Sequence, residues 1–208
     1  MNIQNAKIVR RFLNKLFPDP KPPLHHTSLY TLLIAVLLSA RCTDKKVNEI
    51  TPALFALAST PQKMSLLPIE TIRSIIKPCG LSPTKAKAIK ALSCILVENH
   101  KGRVPKTLEE LEELPGVGHK TASVVMAQGF HQSAFPVDTH IRRCALRWGL
   151  SKGKNVKHIE EDLKALFPKS SWSKLHLQII YYARAYCPAK KHSLDACPIC
   201  HALKQAST

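Results

Sequence analysis

Helix signals recur along the whole chain and constrain its fold more than any other feature. Apolar residues repeat at helical spacing, and no stretch alternates convincingly over the length of a strand. Thr60 before Pro61 and Ser82 before Pro83 each place an N-cap residue ahead of a proline at the first helical position. Helices are also expected over about residues 70–79, where Gly80 ends the helix, and over 139–150, 156–167 and 171–186. These signals predict about ten helices and no sheet, an all-α protein.

Two loops suggest how the helices are divided. "FPDPKPP" (Phe17–Pro23) is rich in proline, and "FHQSAFPVD" (Phe130–Asp138) interrupts the helical periodicity just before a new helix. We therefore expect a central helical domain, residues 22–133, and a second domain made of residues 1–21 plus 134–208 that ends in a cysteine segment, residues 187–200.

The charge balance points to a polyanionic partner. Lys and Arg total 31 against 14 acidic residues, a net charge of +17 with a pI near 9.8. Such a surplus repels itself unless an anionic partner offsets it, so nucleic acid is the first expectation. The most apolar stretch, Leu29–Ala40, is too short to span a bilayer, and we expect no membrane partner. A basic ribosome-associated or structural protein is the alternative.

Cysteine usage indicates the compartment. Seven cysteines, an odd number, without a secretory signal argue for a reducing cytoplasm rather than a disulfide framework. Four of them lie in apolar helical stretches and are expected to be inert: Cys42, Cys79, Cys94 and Cys144. The last three, Cys187, Cys197 and Cys200, lie close together and require a separate explanation.

The stretch "LPGVGHKTASVV" (Leu114–Val125) is the most informative motif. A nucleotide P-loop is excluded because His119 separates Gly118 from Lys120 and a capped helix, not a strand, precedes it. Two short helices joined by a tight hairpin fit better. Gly116 and Gly118 would keep side chains away from a ligand, and Val117 would pack the hairpin down, so that backbone N–H groups can bind a DNA phosphate. Such a hairpin also occurs in non-catalytic DNA-binding proteins, so it does not assign a role to Lys120.

Asp138 supplies the second constraint. In "FPVDTHIRR" it is a natural N-cap for the helix that begins at Thr139. A capping carboxylate stays ionised in a fixed orientation, which a catalytic carboxylate also requires.

Together these motifs resemble the endonuclease III family of the helix-hairpin-helix DNA glycosylase superfamily. The resemblance covers nearly the whole chain and includes "LLIAVLLSARCTD", "GLSPTKA" and "ARAYCPA". It implies two helical lobes with a DNA cleft between them, and a monomeric, cytoplasmic enzyme acting at the nucleoid on double-stranded DNA with damaged bases or abasic sites.

The resemblance also implies a chemistry. Lys120 would be the nucleophile that forms a Schiff base with the deoxyribose, and Asp138 would assist it, in a base-excision repair glycosylase and abasic-site lyase for oxidised pyrimidines. Further expected DNA contacts are Leu81, as a wedge in the duplex, and Arg41, where the family usually has glutamine, together with His140 and Arg142. A monofunctional mismatch glycosylase and a non-enzymatic DNA-binding module are the alternatives.

The cysteine segment departs from the family. Its [4Fe–4S] pattern is Cys-x6-Cys-x2-Cys-x5-Cys, and two of those positions are occupied here by Leu194 and Leu203. Three interpretations remain open: a cluster held by three cysteines and a fourth ligand, a zinc site completed by a histidine, or a metal-free tail. The candidate ligands are Cys187, Cys197 and Cys200, with His192 or His201 as the fourth.

Overall fold

The computed structural model describes residues 2–206. In this part of the chain the regular secondary structure is entirely helical, and there is no strand. The prediction of an all-α protein is confirmed. The α-helices are α1 Ile3–Leu16, α2 Leu29–Ser39, α3 Asp44–Leu57, α4 Pro61–Leu66, α5 Ile69–Ile76, α6 Ser82–Asn99, α7 Leu108–Glu112, α8 His119–Val124, α9 Thr139–Arg147, α10 Val156–Leu166, α11 Trp172–Ala185 and α12 Pro198–Gln205. Short 3₁₀ turns cover Lys77–Cys79 and Lys169–Ser171, and α8 continues as a π-helical turn over Val125–Gly129.

Most helix starts follow the capping signals. The side chains of Thr60, Asp138 and Asn155 each accept a hydrogen bond from a backbone N–H in the first turn, as expected. The expected cap at Ser82 is wrong. The cap residue is Leu81, with a left-handed backbone (φ +50°), and Ser82 is already helical.

Two helix ends and one whole helix differ from the expectation. The α-helical part of the predicted 70–79 segment ends at Ile76, and α9 ends at Arg147 rather than Leu150. The expectation that the chain's last helix ends near residue 186 is wrong, because α12 follows it. Pro198 at the first position of α12 is a start signal that the sequence offered.

Residues 22–132 form one compact unit. Its centre is α2, in which nine of the eleven residues are buried. A helix that is apolar on every side is stable only when neighbours enclose it, and α3, α6 and α8 pack against it. The Tyr30 hydroxyl and the Ser93 hydroxyl are 2.6 Å apart, which satisfies both polar groups in this interior.

Residues 2–21 and 133–206 form the other unit. Its core combines α1, α9, α10, α11 and α12, with Trp148 and Tyr182 fully buried at its centre in an edge-to-face contact of 5.6 Å between ring centroids. Because α12 contributes Ile199 and Leu203 to this core, the cysteine segment that precedes α12 is tied to the folded body.

None of the helices in residues 2–206 combines the length and the apolarity that crossing a membrane would require.

Candidate DNA-binding and metal sites

The hairpin between α7 and α8 is built around Gly116. Its φ is +78°, a conformation that a side chain strains. A Cβ atom there would lie 2.8 Å from the Cβ of Ala88 and 3.2 Å from the Cδ1 of Leu37, so the hairpin backbone packs directly on α6 and α2. Gly116 is therefore required by the fold of this unit.

Gly118 differs from Gly116 in both respects. Its φ is −97°, an ordinary extended value, and a Cβ atom on it would meet nothing within 4 Å. Of the two hairpin glycines, Gly116 alone adopts a positive φ. Among the described residues, no neighbour of this exposed position requires a glycine there.

Val117 is buried at 5% exposure, and its N–H donates to the Leu114 carbonyl at 3.0 Å. Its buried side chain anchors the hairpin to the unit, as expected. The first helical hydrogen bond of α8 runs from the Ala122 N–H to the Gly118 carbonyl. The amides that precede Ala122 in this turn therefore lie at the helix start, where N–H groups have no intrahelical partner.

Lys120 lies in the first turn of α8 with an exposed side chain. The neighbouring His119 places its Nδ1 at 2.7 Å from the Glu112 Oε1 on α7, a contact that ties the two helices of the motif together. The hairpin thus presents a primary amine on its surface.

Asp138, in the other unit, is half-buried and caps α9. Its Oδ1 accepts from the Ile141 N–H at 2.8 Å, which fixes the carboxylate at the helix start. On the same helix Arg142 is exposed, and the half-buried His140 contacts Arg143, with 3.1 Å between Nδ1 and Nη2.

Arg41 and Leu81 share a backbone feature. Both are exposed and both have a positive φ, +55° and +50° respectively. Non-glycine residues rarely adopt this conformation, which places each side chain at the tip of a tight turn. Leu81 is 52% exposed, so much of its side chain is accessible to solvent.

Two lysines of the basic surface are engaged by the protein itself. Lys85 is buried and donates to three backbone carbonyls, and Lys90 donates to the carbonyls of Ser65 and Leu67. Both ammonium groups are therefore engaged by backbone carbonyls of the protein itself.

The cysteine segment gathers four potential metal ligands. One donor atom from each of Cys187, His192, Cys197 and Cys200 lies within 4.8 Å of the other three. The ring nitrogens of His201 instead contact Asp195 (3.8 Å) and Gln205 (2.9 Å). Of the two family positions held by leucine, Leu194 is exposed at 44% and Leu203 lies in the core. The segment is therefore a candidate metal site with three sulfur donors and one nitrogen donor.

Helix α9 supports this site in a way that the sequence did not reveal. Arg147 donates to the Cys187 sulfur at 3.2 Å and to the Pro188 carbonyl at 3.0 Å, and Arg143 donates to the Cys187 carbonyl at 3.1 Å. Hydrogen bonds to the Cys187 sulfur, from Cys144 first and then from Cys197 and Cys200, lower the pKa of Cys187 despite its burial, and Arg147 adds to this. The spacing of these two arginines, one helical turn apart, is the sequence pattern that could have indicated this support of the cysteine segment.

Comparison with known proteins agrees with these features. Residues 34–169 match the model of the HhH-GPD superfamily of base excision DNA repair proteins. Endonuclease III of Treponema pallidum is 45% identical over 95% of both chains, and endonuclease III of Escherichia coli is 41% identical over 88% of this chain and 86% of that one. The structure of a trapped endonuclease III–DNA covalent intermediate superposes with a TM-score of 0.93, at 35% identity and over the full length of both chains.

The sequence and the fold match these relatives along nearly the whole chain. The chain therefore belongs to the HhH-GPD superfamily of base excision DNA repair proteins and, within it, to the endonuclease III family.

Proposed function

We propose that this protein is a bifunctional DNA glycosylase and abasic-site lyase that removes oxidised pyrimidines from double-stranded DNA. The observation that carries the proposal is the exposed Lys120 amine in the first turn after the glycine hairpin. It occurs in a chain whose fold matches an endonuclease III captured as a covalent DNA intermediate. A covalent intermediate needs a nucleophile, and an amine can attack the sugar carbon that carries the base.

Lys120 is the proposed nucleophile. Its neutral amine attacks C1′ of the deoxyribose, the bond from C1′ to the base breaks, and the base leaves after taking up a proton. Ring opening gives an imine between Lys120 and C1′. Loss of a proton from C2′ then expels the 3′ phosphate, which cuts the strand, and water releases the sugar from the lysine. The steps consume only water and exchange protons, so no redox partner is required.

Asp138 is the proposed assisting carboxylate. Its orientation is set by the cap hydrogen bond to Ile141, which uses Oδ1. A fixed negative charge stabilises the positive charge that develops on the sugar as the base leaves, and it can accept a proton from the attacking amine. The cap and the catalytic role are compatible because the cap hydrogen bond fixes the orientation of the carboxylate that the reaction would use.

The remaining candidate residues would bind DNA. The backbone at Gly116 and Gly118 is proposed to contact a phosphate, and Val117 supports it from beneath. Leu81 is proposed to enter the duplex beside the extruded base, and Arg41 to occupy the space on the opposite strand. His140 and Arg142 are proposed contacts on α9. Because every step uses one copy of the chain, a monomer acting on chromosomal DNA is expected.

We also propose that the cysteine segment holds a metal that shapes the second unit and takes no part in catalysis. Lys120 and Asp138 belong to other segments of the chain, and neither is among the four potential ligands that lie together. A [4Fe–4S] cluster, as in the family, and a single zinc ion are the two candidates.

Borohydride trapping tests the catalytic proposal. The protein is incubated with a duplex that contains one abasic site, in the presence of borohydride, which reduces the imine to a stable amine. Wild-type protein is expected to give a covalent adduct and a cut strand. Lys120→Gln is expected to give neither, while still binding the duplex.

Lys106→Gln is the matched control, because Lys106 is an exposed lysine of the same unit. It should trap as well as the wild type. Release of an oxidised pyrimidine without an adduct would support a monofunctional glycosylase instead. Binding without base release or strand cleavage would indicate a DNA-binding module and overturn the proposal.

A further inference from the structure

The donor set in the cysteine segment differs from the one its family uses. Three thiols and one imidazole converge, spaced Cys-x4-His-x4-Cys-x2-Cys, whereas the family pattern has four cysteines. From this arrangement we infer that Cys187, His192, Cys197 and Cys200 bind a single tetrahedral zinc ion, and that a [4Fe–4S] cluster does not fit here. The inference is independent of the proposed catalysis.

The donor atoms, as they are arranged, lie too close together to hold a cluster. The four atoms lie within 4.8 Å of one another. A regular tetrahedron with edges of that length has its centre about 2.9 Å from each corner, and a metal–sulfur bond takes up about 2.3 Å of this, leaving about 0.6 Å. Four irons and four sulfides cannot occupy so small a space, since each iron of a cluster carries its own thiolate outward.

The same distances suit one ion. Zinc lies about 2.3 Å from a thiolate and about 2.0 Å from an imidazole nitrogen, so its ligand atoms are roughly 3.5–3.8 Å apart. That separation falls inside the 4.8 Å limit. Three cysteines and one histidine are also a donor set that structural zinc sites use.

His192 shows the second, independent sign of a ligand. Its Nε2 atom is buried, and no hydrogen-bonding partner for it exists among the residues that the structure describes. A buried polar atom without a partner costs free energy, so such atoms are rare unless something outside the protein satisfies them. A metal ion bound by this nitrogen accounts for it. His201 has partners for its ring nitrogens and needs no ion.

The surroundings match the charge that such a site would carry. Three thiolates on Zn²⁺ leave one net negative charge, with the thiol protons released to solvent. The Arg147 guanidinium, 3.2 Å from the Cys187 sulfur, is placed to balance it. The ion would fasten the end of α11 to the start of α12, so that Ile199 and Leu203 stay in the core.

Metal competition tests the assignment on the full-length protein. Metal-free protein is prepared without oxygen and is offered ferric iron with sulfide and a thiol reductant, or zinc, or all of these together. We expect one zinc per chain, no inorganic sulfide and no visible absorbance in the mixture. X-ray absorption at the zinc edge should show three sulfurs and one nitrogen.

Single substitutions identify the fourth ligand. His192→Ala should weaken zinc binding by more than about 100-fold, since even groups behind the ligands change affinity by about 10- to 100-fold. His192→Cys should restore binding, with four sulfurs around the ion. His201→Ala should bind zinc like the wild type, because the ring nitrogens of His201 contact Asp195 and Gln205 instead.

Three results would overturn the inference. The first is four irons and four sulfides per chain in the mixture, with absorbance that bleaches on reduction. The second is zinc binding unaffected by His192→Ala. The third is a folded protein that takes up neither metal. If His192→Ala fails to fold, the ligand count from X-ray absorption on the wild type still decides between one nitrogen and none.

Discussion

The Lys85 ammonium lies 2.8 Å from the carbonyl oxygen of Ala40, although Lys85 is only 6% exposed. The same nitrogen donates to the carbonyls of Leu38 (2.9 Å) and Cys79 (3.1 Å). Burial lowers the pKa of Lys85, and the three carbonyls replace the water it has lost. Ala40 precedes Arg41 and Cys79 lies two residues before Leu81, so one buried charge joins the two turns that carry these proposed DNA contacts.

Replacing this lysine should loosen both turns. Lys85→Met keeps the length of the side chain but leaves three carbonyls without their donor, and we expect it to lower the free energy of unfolding by about 2–4 kcal/mol. Denaturant unfolding measures this. Lys87→Met is the control, since Lys87 is exposed two residues further along α6, and it should change stability by less than about 0.5 kcal/mol. Equal stability of the two variants would contradict the role assigned to Lys85.

The two hairpin glycines should respond in opposite ways to alanine. Gly116→Ala strains a positive φ and drives a Cβ into Ala88, so a loss of about 1–3 kcal/mol is expected. Gly118→Ala meets open space and should fold with stability within about 0.5 kcal/mol of the wild type, yet bind abasic DNA more weakly. Thermal unfolding and a DNA titration separate the two effects. Normal DNA affinity in Gly118→Ala would argue against close phosphate contact at this position.

The cap and the catalytic role of Asp138 can be separated by two substitutions. Asparagine caps a helix about as well as aspartate, whereas alanine costs about 1 kcal/mol. Asp138→Asn should therefore unfold like the wild type, and Asp138→Ala should be less stable. Both should release oxidised pyrimidines at least about 100-fold more slowly, because neither supplies the negative charge. Near-normal activity in Asp138→Asn would show that the residue serves only as a cap.

Leu81 should lower the stability of the protein slightly and assist extrusion of the damaged base. Its left-handed backbone costs a leucine about 1 kcal/mol, so Leu81→Gly relieves strain and should not lower the melting temperature. Without the apolar wedge, the duplex should open less readily, which a fluorescent base analogue opposite the lesion would report. Leu81→Ala should show the same loss of extrusion without relief of strain. A lower melting temperature in both variants would place Leu81 among the packing residues instead.

Local sequence patterns were sufficient to predict many of the helix starts and the hairpin of this protein. Capping side chains such as Thr60 and Asp138 act within three residues of their partners, so a linear pattern contains the whole interaction. For the same reason the hairpin was recognisable from "LPGVGHK". Pro198 at the start of α12 was such a signal too, and it was overlooked.

Only the tertiary structure decided the roles that depend on distant partners. Lys85 and Lys87 look alike in the sequence, but the carbonyls that bury Lys85 come from residues up to 47 positions away. Gly116 and Gly118 differ because Ala88 and Leu37 lie under one of them and nothing lies over the other. His192 and His201 were equal candidates until the folded chain brought His192 to the three sulfurs. Whether a side chain is buried, and which side chains come together, depends on how segments that are distant in the sequence pack. A local sequence pattern therefore does not predict either.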